Sequence, residues 1–375
     1  MVQGKLVIMK SICFVVTSMG GGGAERNVSL LANNLSKKGY DVHIFLLLNN
    51  TISYSLDSVI HVYFSKPDHR IKLLNIASWK KHLKEYCTKN NINTVVGVGI
   101  NYGTICAYAL KNNKKVKLIV RGTSTYKLST FEKISVFLFG RRIDTFVCQT
   151  DAQLRSIPNI LAKKSIVISN PFEIYEVNSN KDGYLSHKFI CVGRLKLDTK
   201  KQDNIIKAFR DFVSNNDYGD YSLHFYGDDC DSGNTLSLLQ ENVRTAKIKN
   251  VYFHRFCKDI KDQILNSTAF ICCSVVEGMP NALIESLMLG IPAISSDWSG
   301  SDEIISNGKN GYIFGNCDDI PNLTKCMEKI ACLTEKEYCA LSNGAFSLNK
   351  DKYSLTKIVS KWESIISKED QHVLS

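Results

Sequence analysis

Apolar runs of strand length alternate with amphipathic stretches of helix length, and this rhythm constrains the fold more than any other feature of the chain. Residues 11–17, 40–48, 94–98, 116–120 and 145–149 read as strands, and 25–38 as the first intervening helix. Strands joined through helices lie parallel, so the pattern predicts a parallel sheet covered on both faces. The rhythm breaks over 167–184, where Asn170-Pro171 and a polar run from Asn178 to Gly183 form a hinge between domains. It resumes with strands at 189–192, 222–226, 251–253, 269–274 and 292–295. Residues 355–367 form a last amphipathic helix, with Ile358, Trp362 and Ile365 at helical spacing, that packs on one of the domains. The expected fold class is therefore α/β, with two doubly wound domains facing across a cleft and a ligand at the carboxyl ends of their strands. The boundaries follow as 1–170, a linker at 171–184, 185–352, and a terminal helical segment at 353–375.

With 375 residues, 44% hydrophobic and 22% charged, the chain is long enough for two ordinary domains and is not disordered, collagenous or a coiled coil. Its longest apolar runs, 12–16 and 269–276, are far shorter than the ~18–20 residues that span a bilayer. Lys10 interrupts the apolar stretch after Lys5, and no small-residue cleavage site follows, which argues against a secretory signal. Thirteen cysteines without a Cys-x-x-Cys spacing read as reduced thiols of a cytoplasmic protein rather than disulfides or zinc ligands. The net charge of +11 is uneven: residues 1–170 carry 24 Lys and Arg against 8 Asp and Glu, and the remainder carries 23 against 28. The first half thus faces something anionic, or simply has a lysine-rich solvated surface.

The segment Ser274-Val-Val-Glu277-Gly278-Met279-Pro280-Asn281 follows a strand and opens a helix containing Glu285. Pro280 fits the first helical position, Gly278 lets the backbone approach a ligand, and the helix start suits a pyrophosphate or sugar hydroxyls. Two acceptor-only carboxylates so spaced can hold hydroxyls at the two ends of a nucleotide-sugar; a surface carboxylate at Glu285 and a helix N-terminal charge at Glu277 are the plain alternatives. Gly20–Gly23 form a glycine-rich loop before the first helix, either a flexible turn or a phosphate site, with no completed Gly-x-Gly-x-x-Gly. Around 131–142, Phe131, Ile134, Phe137, Leu138 and Phe139 coincide with Lys133, Arg141 and Arg142. Such a helix suits an anionic bilayer surface, or else is buried with a cationic last turn.

Across nearly its whole length the chain resembles the retaining glycosyltransferases of family 4, which have the GT-B fold: two Rossmann-like doubly wound domains facing across a cleft. The Glu277–Glu285 spacing carries most of the resemblance, with Gly22-Gly23-Ala24-Glu25-Arg26, Gly193-Arg194-Leu195, Lys200, Asn170-Pro171, Gly290-Ile291-Pro292 and Gly300-Ser-Asp-Glu303 in order along the chain. It implies transfer of a sugar from a nucleotide diphosphate sugar, with a lean towards UDP, to a hydroxyl of a lipid-linked or polysaccharide acceptor of a bacterial surface polysaccharide. Arg194, Lys200 and Glu277 would then serve the chemistry. Gly22, Gly23, Gly193, Gly278, Met279, Pro280, Asn281 and Glu285 would line the donor. Neither a metal nor another cofactor is expected, and the Asp229-Cys-Asp231 match to a metal signature reads as coincidence.

The chain departs from the family at three places. The usual Gly-Asp/Glu-Gly-Pro turn reads Gly227-Asp-Asp-Cys230, and Arg255 stands where a glycine is usual, which makes it a candidate base or phosphate contact. The acceptor-side histidine is missing, and Arg121 or Ser124 is the candidate to fill its place. Other readings remain: a nucleotide-sugar 2-epimerase, which should lack the glutamate pair, and a catalytically silent nucleotide-sugar-binding protein. Nucleic acid is not an expected partner, since no basic motif interleaved with aromatics accompanies the charge. Peripheral contact of the basic half with the inner face of an anionic membrane is.

Overall fold

All six residues of β1 (Ser11–Val16) are buried, as a strand covered on both faces requires. The computed structural model describes residues 10–66, 72–123, 128–174, 181–214, 216–229, 234–257 and 259–367. Two compact units divide the chain: Met1–Pro171 with Leu355–Ser375, and Phe172–Ser354.

In the first unit, β1 is followed by β2 (Asp41–Leu46), β3 (His61–Phe64), β4 (Thr94–Val98), β5 (Lys117–Arg121), β6 (Thr145–Cys148) and β7 (Ser165–Val167). They form a parallel sheet in the order β3-β2-β1-β4-β5-β6-β7. Alternation along β1 sends Cys13 and Val15 to one face, against Trp79 and Leu83 of helix Lys72–Lys89 and Cys106 of helix Ile100–Ala109. Ile12, Phe14 and Val16 face the other way, against Leu31 and Leu35 of helix Gly23–Lys37. The helix Leu355–Ser367 completes that second face with Ile358, Val359 and Trp362. The chain thus leaves the first unit once and returns to it.

The second unit repeats the plan with β8 (Lys188–Val192), β9 (Ser222–Tyr226), β10 (Val251–His254), β11 (Ala269–Cys272), β12 (Ala293–Ser295) and β13 (Gly311–Ile313). Their order is β10-β9-β8-β11-β12-β13, all parallel. Phe189 and Ile190, adjacent on β8, serve opposite cores. In each unit the strand order reverses beside the first strand, between β1 and β4 and between β8 and β11. Loops leaving the two strands of such a pair go to opposite faces and open a crevice at their carboxyl ends.

The sequence pattern missed β3, β7 and β13, which are short edge strands without a continuous apolar run; three of the four residues of β3 are exposed. It left two readings for 131–142, and the helix found there is not buried on all sides. The helix there, Thr130–Phe139, starts with a capping box between Ser129 and Glu132 and buries Ser135 and Val136. Its other face holds Phe131, Ile134, Phe137 and Leu138 in solvent, with Phe137 79% exposed. The exposed Lys133 lies on this helix and the exposed Arg141 follows it. Lys80 lies 4.0 Å and Lys111 5.9 Å from the Tyr108 ring centroid, and that ring packs on Phe139. Among the described residues no helix is long and apolar enough to cross a membrane, and the twelve cysteines form no disulfide.

Candidate active site

The β8/β11 crevice of the second unit gathers the residues singled out at the carboxyl ends of those strands. After β8 come Gly193 and the exposed Arg194, and Leu195 pairs with the loop after β9, its N–H donating to the Asp228 carbonyl at 3.0 Å. A single helical turn, Leu197–Lys200, then ends at Lys201, whose φ of 46° is left-handed. This kink turns the two adjacent lysines apart: Lys201 pairs with Asp318 at 3.2 Å, while Lys200 reaches Glu277.

Glu277 stands in the loop between β11 and helix Asn281–Met288. Its Oε1 accepts from both the Lys200 ammonium and Ser274 Oγ, the latter at 2.7 Å. Val275 N–H donates to the Thr199 carbonyl at 2.9 Å, which ties the two crevice loops together. Pro280 stands one position earlier than expected, just ahead of the helix; its φ of −73° suits either place. Gly278 and Met279 are buried, and Glu285 is half-buried at the fifth helical position.

Burial opposes the Lys200 charge, but the Glu277 carboxylate more than offsets it and the ammonium's pKa lies above its ordinary value. The thiols behind the crevice behave oppositely, burial pushing Cys191 up to about 12 and Cys272 up to about 11. They are neutral wall groups, without thiolate character.

Two supports escaped the sequence reading. Gln202, fully buried, donates from Nε2 to the Arg194 carbonyl at 3.0 Å and accepts from Lys196 N–H at 3.2 Å. Ser296 Oγ accepts from Ser274 N–H at 2.8 Å and donates to the Ser274 carbonyl at 2.7 Å. Only their spatial partners reveal these roles; a glutamine or serine at those positions carries no signature.

Other residues lie apart. Arg255 is exposed beyond β10, with β9 between it and β8; its loop is linked inward by Phe256 N–H donating to Asp228 Oδ1 at 3.2 Å. Asp229 accepts from Leu236 N–H at 2.7 Å at the start of the next helix, and Asp231 lies outside the described residues. In the first unit Gly22 precedes helix Gly23–Lys37 at the end of the β1 loop, and its carbonyl accepts from Tyr54 OH at 3.1 Å. Arg121 is buried at the end of β5 and donates to Asn170 Oδ1, an anchor for the strand end, whereas Ser124 lies outside the described residues.

Comparison with known proteins now bears on this geometry. Solved GT-B structures superpose on nearly the whole chain; that of Anabaena HepE in complex with UDP and glucose covers 96% of this chain and 100% of its own, at a TM-score of 0.81 and 16% identity. The fold is GT-B. Residues 178–338 match the family Glycosyl transferases group 1. An uncharacterized glycosyltransferase of Haemophilus influenzae is 24% identical over 96% of this chain and all of its own length. A Campylobacter jejuni enzyme, GalNAc-alpha-(1->4)-GalNAc-alpha-(1->3)-diNAcBac-PP-undecaprenol alpha-1,4-N-acetyl-D-galactosaminyltransferase, is 25% identical over 96% of this chain and 99% of its own. The chain is a glycosyltransferase of the GT-B fold.

The family 4 assignment needs correction, because the match is to group 1. Gly193-Arg194, Lys200 and Glu277–Glu285, which carried the resemblance, all fall within 178–338. Physically they describe a crevice beside a helix start, a feature not confined to one family.

Proposed function

We propose that this protein is a retaining glycosyltransferase that moves a sugar from a UDP-sugar to a hydroxyl of a lipid-linked or saccharide acceptor in bacterial surface polysaccharide synthesis. The observation that carries the reading is the meeting of Lys200 with Glu277 at the β8/β11 switch point, where Arg194 leaves the same strand end. Arg194 and Lys200 face the donor diphosphate. As the bond from C1 to the phosphate oxygen lengthens, negative charge grows on that oxygen, and two cations held in place lower its energy. Glu277 accepts from hydroxyls of the transferred sugar and Glu285 from the ribose. Gly193, Gly278, Met279, Pro280 and Asn281 shape the backbone around the donor, and Arg255 contacts the base or a phosphate.

Retention follows from bond balance on one face of the sugar. The C1–phosphate bond breaks, the acceptor oxygen bonds to C1 from the same side, and the acceptor proton passes to the departing phosphate oxygen. Nucleotide-activated D-hexoses carry an α-diphosphate, so an alpha linkage like that in the name of the Campylobacter relative keeps the configuration. The UDP in the HepE structure supports the choice of base, and the PP-undecaprenol in the relative's name supports a lipid-linked acceptor.

Such an acceptor sits in a bilayer, and helix Thr130–Phe139 suits one: its apolar face is exposed, Lys133 lies on it, Arg141 follows it, and Lys111 stands 5.9 Å from the Tyr108 ring that packs on Phe139. The apolar side chains enter the acyl boundary while the cations meet anionic headgroups on the cytoplasmic side. A thermal-shift series against UDP-, GDP- and ADP-sugars, followed by donor hydrolysis, tests the donor assignment. A rise in Tm with UDP-sugars supports it, and no shift with any of the three counts against it.

A further inference from the structure

At the amino ends of β2 and β3, at the opposite end of the sheet from the β1/β4 crevice, three side chains with metal-binding chemistry converge. Asp41 and His43 are two residues apart on β2 and share one face of the strand. His61 is the register partner of His43 on β3. Asp41 Oδ2 lies 3.1 Å from His43 Nε2, and Asp41 Oδ1 lies 3.5 Å from His61 Nε2. One ligating atom from each of the three lies within 4.8 Å of the others.

A second observation points into the same cluster. His43 is 3% exposed, and its Nε2 is fully buried without a hydrogen-bond partner. The nitrogen is close to the Asp41 carboxylate yet off the line of a hydrogen bond, an arrangement that two ligands of one cation share. At the other side of the ring, Nδ1 lies 2.9 Å from Tyr86 OH on helix Lys72–Lys89, which fixes the ring and aims Nε2 at the cluster. The His61 ring stacks on it with centroids 4.8 Å apart.

We propose that Asp41, His43 and His61 form a Zn2+ site. Zinc bonds of about 2.0–2.2 Å to imidazole nitrogen and carboxylate oxygen put neighbouring tetrahedral ligands about 3.3–3.6 Å apart, and the two Asp41 contacts, at 3.1 and 3.5 Å, lie within a few tenths of an ångström of that. Two imidazoles and a carboxylate select a borderline transition metal over Mg2+ or Ca2+, and leave the fourth position to water. Access is direct, since the His61 side chain is 62% exposed. The ion ties β3, the edge strand of the sheet, to β2, and through Tyr86 to the covering helix. The site is separate from the glycine-rich loop, which leaves from the opposite, carboxyl end of β1.

Competition titration of the untagged, chelator-stripped protein with ZnCl2 and a chromogenic chelator tests the site. One Zn2+ per chain is expected, with a rise in Tm that follows the zinc concentration. His61→Ala, which removes an exposed side chain, and the isosteric Asp41→Asn should each weaken binding by about a hundredfold, and Tyr86→Phe by about tenfold. His254→Ala, in the other unit, should bind as the wild type does. No zinc binding, or undiminished binding in His61→Ala, overturns the proposal and leaves an ordinary imidazole–carboxylate network.

Discussion

Lys200 donates to Glu277 Oε1 across the crevice between the ends of β8 and β11, and Ser274 Oγ donates to the same oxygen at 2.7 Å. The pair fixes the position of the lysine ammonium at the mouth of the crevice. Glu277 keeps 12% of its side chain exposed and Lys200 32%, so the two are shielded enough for their interaction to matter and open enough to exchange partners. On the proposed function, an incoming diphosphate would take over part of the lysine's coordination, and sugar hydroxyls would replace it at the carboxylate.

Lys200→Met should lower kcat for sugar transfer by about 10²–10³, the usual loss when one fixed stabiliser of a developing oxyanion is removed. Glu277→Gln should lower kcat/KM by a similar factor. Lys201→Met should retain most activity, because that side chain is turned to Asp318. Initial rates with a UDP-sugar decide the matter; equal losses at Lys200 and Lys201 would sink the assignment.

Acid stability should depend on the strand pair β9 and β10. His224 Nδ1 lies 3.0 Å from His254 Nε2, and burial, then Lys188, then His254 lower the His224 pKa from 6.5 to about 4. The unfolded chain therefore takes up this proton first as pH falls. The stability held above pH 6.5 is lost between there and about 4. His224 is half-buried, so solvent screening reduces the loss to about 1 kcal/mol. Urea midpoints across that range should fall for the wild type and less steeply for His224→Gln.

Much of this architecture was legible because a parallel sheet buried on both faces writes itself as apolar runs, as in Ser11–Val16 and Ala269–Cys272. Edge strands are different: three of the four residues in His61–Phe64 are exposed, and their strand character comes from the neighbour they pair with. The site was legible wherever a backbone requirement accompanied the chemistry, as at Gly193-Arg194 and at Gly278 before a helix. It was illegible at Gln202 and Ser296, whose side chains act on backbone atoms distant in the chain or around a bend. Nor does spacing reveal that a left-handed Lys201 turns Lys200 towards Glu277.

Gly227 is the clearest case of a residue held by backbone contact. Its φ is 151°, and a Cβ there would stand 2.1 Å from the Gly193 carbonyl oxygen, which is main chain and has no rotamer to yield. The clash falls on the strand end that presents Arg194. Gly227→Ala should cost about 2 kcal/mol or more in the urea midpoint and reduce UDP-sugar binding as well. Wild-type stability in that variant would show that the two loops move independently.

Membrane association should reside in one helix. Phe137 and Ile134 are 79% and 54% exposed, so replacing them removes little from the folded core while stripping the apolar face. Each contributes about 1.5–3 kcal/mol when fully buried in an apolar medium, and even partial insertion of both amounts to a tenfold or larger change in partitioning. The double substitution Phe137→Ser, Ile134→Ser should therefore lower co-sedimentation with vesicles containing phosphatidylglycerol by about tenfold or more, with an unchanged urea midpoint. Raising salt should weaken the wild type by screening the cations around the helix, and neutral phosphatidylcholine vesicles should bind it less at every salt concentration. Equal sedimentation of wild type and variant would place the contact elsewhere on the basic half of the chain.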